Sequence, residues 1–346
     1  MSIFVKTEVM ILIDSLYINN SGGLRLLDYL VRRLNEKAIP FFLLADIRCL
    51  GKFDYCKHVR YVKASLYKRK LFYKENGSMF SSVLCFGNIP APVQLEVPVY
   101  TYFHNINLLT LSEASSIKEL LVMWLKRLVF RYYKKNTNYW LVQTINTQKE
   151  LCRHLDESEK KVILMPFYEL PEDINLLKND YHGEDYVFVS NYTGAKGHEE
   201  LLDAWRLLHE HGIDKTLHLT VPRECSEFIS KIDKVKAEGV NVENHGFIPF
   251  DKVLDLYRKS KAIVYPSHNE SLGLGLVEAI EAGCDVLASN LPFVFSVCTP
   301  TLVFDPYTPE SIANAIMKYE KGEGKRPQLL IRNQLDELLH LLVRNN

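Results

Sequence analysis

Two glutamates, Glu270 and Glu278, stand with seven residues between them in the stretch YPSHNESLGLGLVEAIEAG, residues 265–283. Before them KAIVY is a short apolar run, rich in β-branched and aromatic residues, which reads as a buried strand. After the turn residues Pro266, Ser267, His268 and Asn269, apolar positions from Leu274 to Ile280 recur at helical spacing. A strand, a glycine-bearing turn and a helix leave the helix's first N–H groups unpaired and aimed at one spot. Such an end suits an anion, a phosphate above all. Here the donors are the N–H groups near Leu272, Gly273 and Leu274. Carboxylates beside an anion site make sense when the ligand also carries hydroxyls, because a carboxylate accepts two hydrogen bonds from a vicinal diol. A ligand with both diphosphate and diols is a sugar nucleotide. Taken alone, an E-x7-E pair is more often a surface glutamate beside an ordinary helix cap.

The elements that would position these groups alternate along the chain. VMILIDSL is a near-continuous apolar strand, suited to the middle of a covered parallel sheet. Gly22 and Gly23 follow at the turn into a helix, where glycine serves either the turn geometry or a phosphate contact. FFLLAD, RYVKAS, VLCFG and VYTYFH are further strands, and NYWLVQT another. His104 ends the fourth of these, where a strand's carboxyl end meets a ligand crevice. In the second half DYVFVS, KTLHLTV, KAIVY and CDVLAS alternate with helical segments. This order predicts doubly wound parallel sheets in two domains. Pro166 and Pro171 bracket an aperiodic hinge. The expected boundaries are 1–168 for the first domain and 169–326 for the second. A tail over 327–346 is expected to be one helix that crosses back to the first domain.

The stretch N-E-S-L-G-L-G-L-V-E-A-I-E-A-G, with CDVLAS after it, resembles the donor-binding motif of retaining, nucleotide-sugar-dependent glycosyltransferases of family 4 (group 1). The resemblance is specific over residues 185–320 and looser before them. It implies two Rossmann-like domains facing across a cleft, the glycosyltransferase B architecture. The first would hold the acceptor and the second the nucleotide sugar. It also implies roles. Glu270 would contact the donor sugar's hydroxyls and Glu278 the ribose diol. Lys196 matches the family's diphosphate lysine, while Asn191 stands where the family has arginine. Phe247 and Ile248 lie at the turn that borders the nucleotide base; packing under the turn is the alternative. Gly22 and Gly23 resemble the first glycine loop, and His104 a histidine near the sugar. The reaction implied is hexose transfer from a nucleoside-diphosphate sugar to a saccharide acceptor, a lipid-linked one, in bacterial surface polysaccharide synthesis. A nucleotide-sugar 2-epimerase on the same fold, or a non-catalytic donor-binding subunit, are the rival readings.

At 346 residues the chain holds two cores of ordinary size. Lys plus Arg and Asp plus Glu both number 42, so no overall basic field points to nucleic acid. Seven cysteines form no C-x-x-C pair, which fits a reducing compartment, and the expected location is the cytoplasm. Residues 117–135 carry six basic residues against Glu119. Their stripe of Ile117, Leu120, Leu121, Trp124, Leu125, Leu128 and Tyr132 predicts a helix packed on the core with a solvated basic face. The alternative is peripheral attachment to an anionic membrane at its inner face. YCKHVRYVKASLYKRKLFYK is also basic but shows no helical stripe. No D-x-D occurs, and His198, His209 and His211 lack metal-site geometry, so no metal cofactor is expected.

Overall fold

A computed structural model describes residues 10–19, 21–109, 117–170 and 183–344. The chain divides into two compact units, residues 1–169 with 332–346 and residues 170–331.

The first unit runs β1 (Met10–Asp14), α1 (Ser21–Glu36), β2 (Phe41–Asp46), β3 (Val59–Val62), α2 (Leu66–Asn76), β4 (Phe80–Cys85), β5 (Val99–Phe103), α3 (Ile117–Tyr133), β6 (Tyr139–Val142), α4 (Ile145–Leu155) and β7 (Val162–Leu164). Its seven strands form one parallel sheet in the order β3-β2-β1-β4-β5-β6-β7. Ile11, Leu12 and Ile13 are fully buried, so β1 is covered on both faces as its unbroken apolar run requires. The strand order reverses between β1 and β4. In such sheets ligands bind at that reversal, outside the carboxyl ends of the strands.

Two segments differ from their sequence pattern. The basic stretch without a stripe contains α2, a helix that Ser65 caps through the N–H of Lys68. Its buried face is Arg69, Phe72 and Tyr73, while Lys68, Lys70 and Lys74 are exposed. The stripe is obscured because one buried position is an arginine. Arg69 Nε donates to Asp14 Oδ2 at 2.7 Å, and Tyr73 Oη donates to the same oxygen at 2.6 Å. The second difference is in α3. Leu121, Trp124, Leu125, Leu128 and Tyr132 face solvent, and the helix anchors through Phe130 against Phe103 and Trp140. Phe130 lies outside the apolar stripe, so the core-packed expectation is reversed. The side chains of Ile117, Leu120, Lys118 and Lys126 lie outside the described residues.

The second unit runs β8 (Asp185–Phe188), α5 (His198–Glu210), β9 (Leu217–Leu219), α6 (Ser226–Ala237), β10 (Val242–Asn244), α7 (Phe250–Arg258), β11 (Ser260–Tyr265), α8 (Leu274–Glu281), β12 (Asp285–Ser289), α9 (Pro292–Phe295), β13 (Cys298–Thr299), β14 (Leu302–Phe304), α10 (Pro309–Glu320) and β15 (Gln328–Leu329). Six strands form a parallel sheet in the order β10-β9-β8-β11-β12-β14, and β13 pairs with β15 antiparallel. Here the order reverses between β8 and β11. The chain ends in α11 (Leu335–Val343), part of the first unit, where Ser82 Oγ donates to Leu342 O at 2.8 Å. The tail is therefore not one helix. Asn333 Oδ1 accepts the N–H of Leu335 at 3.1 Å, a local turn that starts the helix there. All seven cysteines are free, and no helix of the described residues is long and apolar enough to cross a membrane.

Candidate functional site

The reversal between β8 and β11 puts two loops side by side. Residues 189–197 follow β8, and residues 266–273 follow β11. His268 N–H donates to Ala195 O at 2.8 Å, tying them together. Gly197, at φ +67°, makes their close approach feasible, since a Cβ there would stand 2.5 Å from Pro266 O. The tie brings Lys196 and Glu270 into a direct charge-assisted hydrogen bond, Nζ to Oε1. Tyr265 Oη donates to the same Glu270 oxygen at 3.1 Å. Burial and the Glu270 charge hold the Tyr265 phenol far above its usual range, so it stays protonated and donates.

Helix α8 opens at Gly273, in the left-handed region at φ 72° and ψ 57°, with no side-chain cap. Its first turn therefore presents backbone N–H groups and the positive end of the helix dipole. Gly275 lets this turn lie against Tyr265, whose Cε2 would be 3.1 Å from an added Cβ. Leu272 and Gly273 are buried and Leu274 half-buried. Glu278, further along the same helix, is only 5% exposed. A carboxylate so buried keeps its charge only where polar hydrogens reach it. Asn191 is exposed, and its carbonyl accepts from Ser190 Oγ at 3.1 Å. Phe247 is 82% exposed beyond Gly246, so packing under the turn does not account for it; Ile248 is half-buried. His198, at the start of α5, is boxed by Phe188, Tyr192 and Phe228. Burial, then the nearby Lys196 charge, push its pKa down to about 3, which fits a neutral packing residue.

The matching reversal in the first unit brings Gly23, with Gly22 beside it at the start of α1, against His104. A Cβ on Gly23 would stand 3.1 Å from His104 Cε1, so the glycine admits the ring. The His104 ring packs on Phe86 and Tyr102 and bonds the Phe86 backbone, while Nε2 has no hydrogen-bond partner among the described residues. Burial pushes its pKa down to about 4. At neutral pH the imidazole is therefore uncharged, and its free nitrogen can accept a hydrogen bond from a hydroxyl. Sequence reasoning passed over what holds it. Asn88, left-handed at φ +67°, accepts the His104 N–H at 2.7 Å. Arg69 grips the same loop through Ile89 O and Pro90 O, at 2.9 and 2.8 Å. The Gly87-Asn88 dipeptide after a strand was the available signal, since Asn tolerates the left-handed region.

Residues 173–335 match the family model described as Glycosyl transferases group 1. No curated protein matches the chain by sequence. Among solved structures it resembles sucrose-phosphate synthase from Thermosynechococcus elongatus, at 16% identity and TM-score 0.69, over 90% of each chain. It also resembles a glycosyltransferase from Rickettsia africae, at 14% identity and TM-score 0.66, over 98% of this chain and 94% of that one. Anabaena HepE in complex with UDP-glucose aligns at 14% identity and TM-score 0.64, over 90% of each chain. Each α/β unit thus has the doubly wound fold found in glycosyltransferase B structures, and residues 173–335 form a glycosyl transferases group 1 domain.

Proposed function

We propose that this chain is a retaining glycosyltransferase of family 4, moving a hexose from a nucleoside-diphosphate sugar to a saccharide acceptor. The observation that carries the reading is the Lys196–Glu270 pair beside the uncapped N-terminus of α8, at the strand reversal of the second unit. In this reading the diphosphate takes the Lys196 charge and the α8 N–H groups. These stabilise the leaving phosphate without a metal, as preorganised donors do for developing charge. Glu270 turns to the hexose hydroxyls, Glu278 takes the ribose diol, and Phe247 with Ile248 flanks the base. That Asn191 replaces an arginine leaves Lys196 and the helix end as the main positive groups toward the phosphates. In the first unit Gly23, with Gly22 beside it in the first turn of α1, admits His104, whose unpaired Nε2 accepts a sugar hydroxyl in this reading. UDP-glucose bound to HepE supports a sugar nucleotide as donor.

The acceptor side points to a membrane. Leu66 of α2 and Leu128, Val129, Arg131, Tyr132 and Tyr133 of α3 line one shallow apolar groove. Lys68, Lys70, Lys74 and Lys135 are exposed on the same two helices or at their ends. Exposed apolar rings among lysines suit an anionic lipid surface. A lipid-linked saccharide of bacterial surface polysaccharide synthesis, presented at the inner face of the cell membrane, fits this surface. The protein would then work in the cytoplasm as a peripheral membrane enzyme.

A thermal-shift screen against nucleoside-diphosphate sugars tests the donor side, since a ligand of the native state raises the melting point. A stabilising donor that also turns over with a saccharide acceptor, in the presence of excess EDTA, is the expected result. Binding without turnover on any acceptor would instead mark a donor-binding subunit, and release of an altered sugar nucleotide an epimerase. Activity lost to EDTA and restored by Mg²⁺ or Mn²⁺ would mean that a cation supplies the charge lacking at Asn191.

A further inference from the structure

At the edge of the second sheet, just before the turn that carries Phe247 and Ile248, two imidazoles and a carboxylate converge. His218 on β9 and Glu243 on the edge strand β10 are register partners, so their side chains share a face. His245 lies two residues beyond Glu243, its N–H bonded to Leu219 O at 2.8 Å, which continues the ladder and returns its side chain to that face. His218 Nδ1 is 3.0 Å from His245 Nε2 and 3.5 Å from Glu243 Oε2. The three ligand atoms all lie within 4.8 Å of one another, the single such cluster among the described residues. Ligands held about 2.0–2.1 Å from a tetrahedral zinc ion stand about 3.3 Å apart, close to both spacings.

A second feature orients the cluster. On the other side of the His218 ring, Asp185 Oδ2 lies 3.6 Å from Nε2. Asp185 is itself fixed, since its Oδ1 accepts the Thr216 N–H at 3.1 Å. A carboxylate there favours the proton on Nε2 and leaves the Nδ1 lone pair turned toward His245 and Glu243. This carboxylate–histidine order is the one that backs metal-bound imidazoles. Both imidazole and carboxylate suit zinc and its divalent neighbours, and three protein ligands leave a fourth position for water.

We propose that His218, Glu243 and His245 bind a divalent transition-metal ion such as Zn²⁺, with Asp185 orienting His218. The site shares no residue with the Lys196–Glu270 group, so it is separate from a metal-independent transfer. Calorimetric titration of the full chain with Zn²⁺, in a buffer that does not chelate, tests it. The parent should show a saturable site that is absent when His218→Asn and His245→Asn are combined. Glu243→Gln alters an exposed side chain and should weaken binding at least about tenfold, with Asp185→Asn costing about tenfold or more. The pair His209→Asn with His211→Asn should leave the site intact. No saturable binding by the parent, or binding equal to the parent's by Glu243→Gln and by the combined His218→Asn and His245→Asn variant, would overturn the proposal. The histidines would then share an ordinary hydrogen bond.

Discussion

Both units reverse their strand order once, and each reversal holds an ion pair, but the two pairs are placed for different ends. In the first unit Asp14 and Arg69 are sealed, with side chains 1% and 2% exposed. The remaining guanidinium donors go to backbone carbonyls of the loop that carries Asn88. That charge is used internally, on a loop whose Asn88 holds the backbone of a neutral histidine, His104. In the second unit Lys196 and Glu270 are 24% and 15% exposed, on loops, beside an uncapped helix end. A sealed pair shapes a site for uncharged hydroxyls, whereas an accessible pair can exchange partners with a charged ligand. In the proposed reading the same fold supports an acceptor side and a donor side by moving one ion pair from the sheet interior to its rim.

The largest expected effect lies in the sealed pair. Arg69→Met leaves the Asp14 carboxylate buried without its cation and should cost about 3–5 kcal/mol of stability in denaturant unfolding. Lys196→Ala should cost far less stability, because Glu270 keeps the Tyr265 bond, but should impair donor binding. Equal stability losses would erase the contrast between the units.

Next come the carboxylates of the donor side. Glu278→Ala should weaken a bare nucleoside diphosphate by about 1.5–3 kcal/mol, roughly 10- to 150-fold in Kd. Glu270→Ala should reduce turnover more than affinity for the bare nucleotide, which has no hexose for it to touch. Matching effects from both changes in calorimetry and kinetics would mean that the two roles are wrongly divided.

Membrane attachment is a smaller, additive effect. Each lysine near an anionic surface contributes about 1 kcal/mol. Gln at Lys68, Lys70, Lys74 and Lys135 together should abolish sedimentation with anionic vesicles at low salt and leave donor affinity unchanged. Parent-like sedimentation of that variant would remove the α2 and α3 surface from the account.

The last expectation is a pH dependence that both units share. His104 and His198 are held neutral in the fold, at about 4 and about 3, below the ordinary value of 6.5. Between those values and 6.5 the unfolded chain binds more protons than the folded one. Stability is therefore fully present above about pH 6.5 and falls as pH drops through that window. His104→Gln should flatten part of that fall in thermal unfolding followed from pH 7 to pH 4. An unchanged slope would place the His104 imidazole in water.

The strand and helix alternation was legible because covered parallel strands are written as apolar runs such as MILID and AIVY. The glycine turn before Leu274 was equally plain, since a left-handed residue at a helix start favours glycine. Arg69 was not legible, because a lysine-rich helix hides one buried arginine whose partner lies 55 residues earlier. Nor was the outward stripe of α3, as periodicity shows that a helix has two faces without saying which of them meets the core. The Lys196–Glu270 contact spans 74 residues and depends on Gly197 letting two loops touch. No local pattern encodes that.

The central claim, a charged donor side and a neutral acceptor side, is tested most directly by calorimetry of UDP, GDP, ADP and dTDP with three proteins. The parent should bind at least one of them, Lys196→Ala should bind it at least about tenfold more weakly, a loss of 1.4 kcal/mol, and His104→Ala should bind it like the parent. No binding by the parent, or equal losses in the two variants, would contradict the assignment of donor and acceptor to the two units.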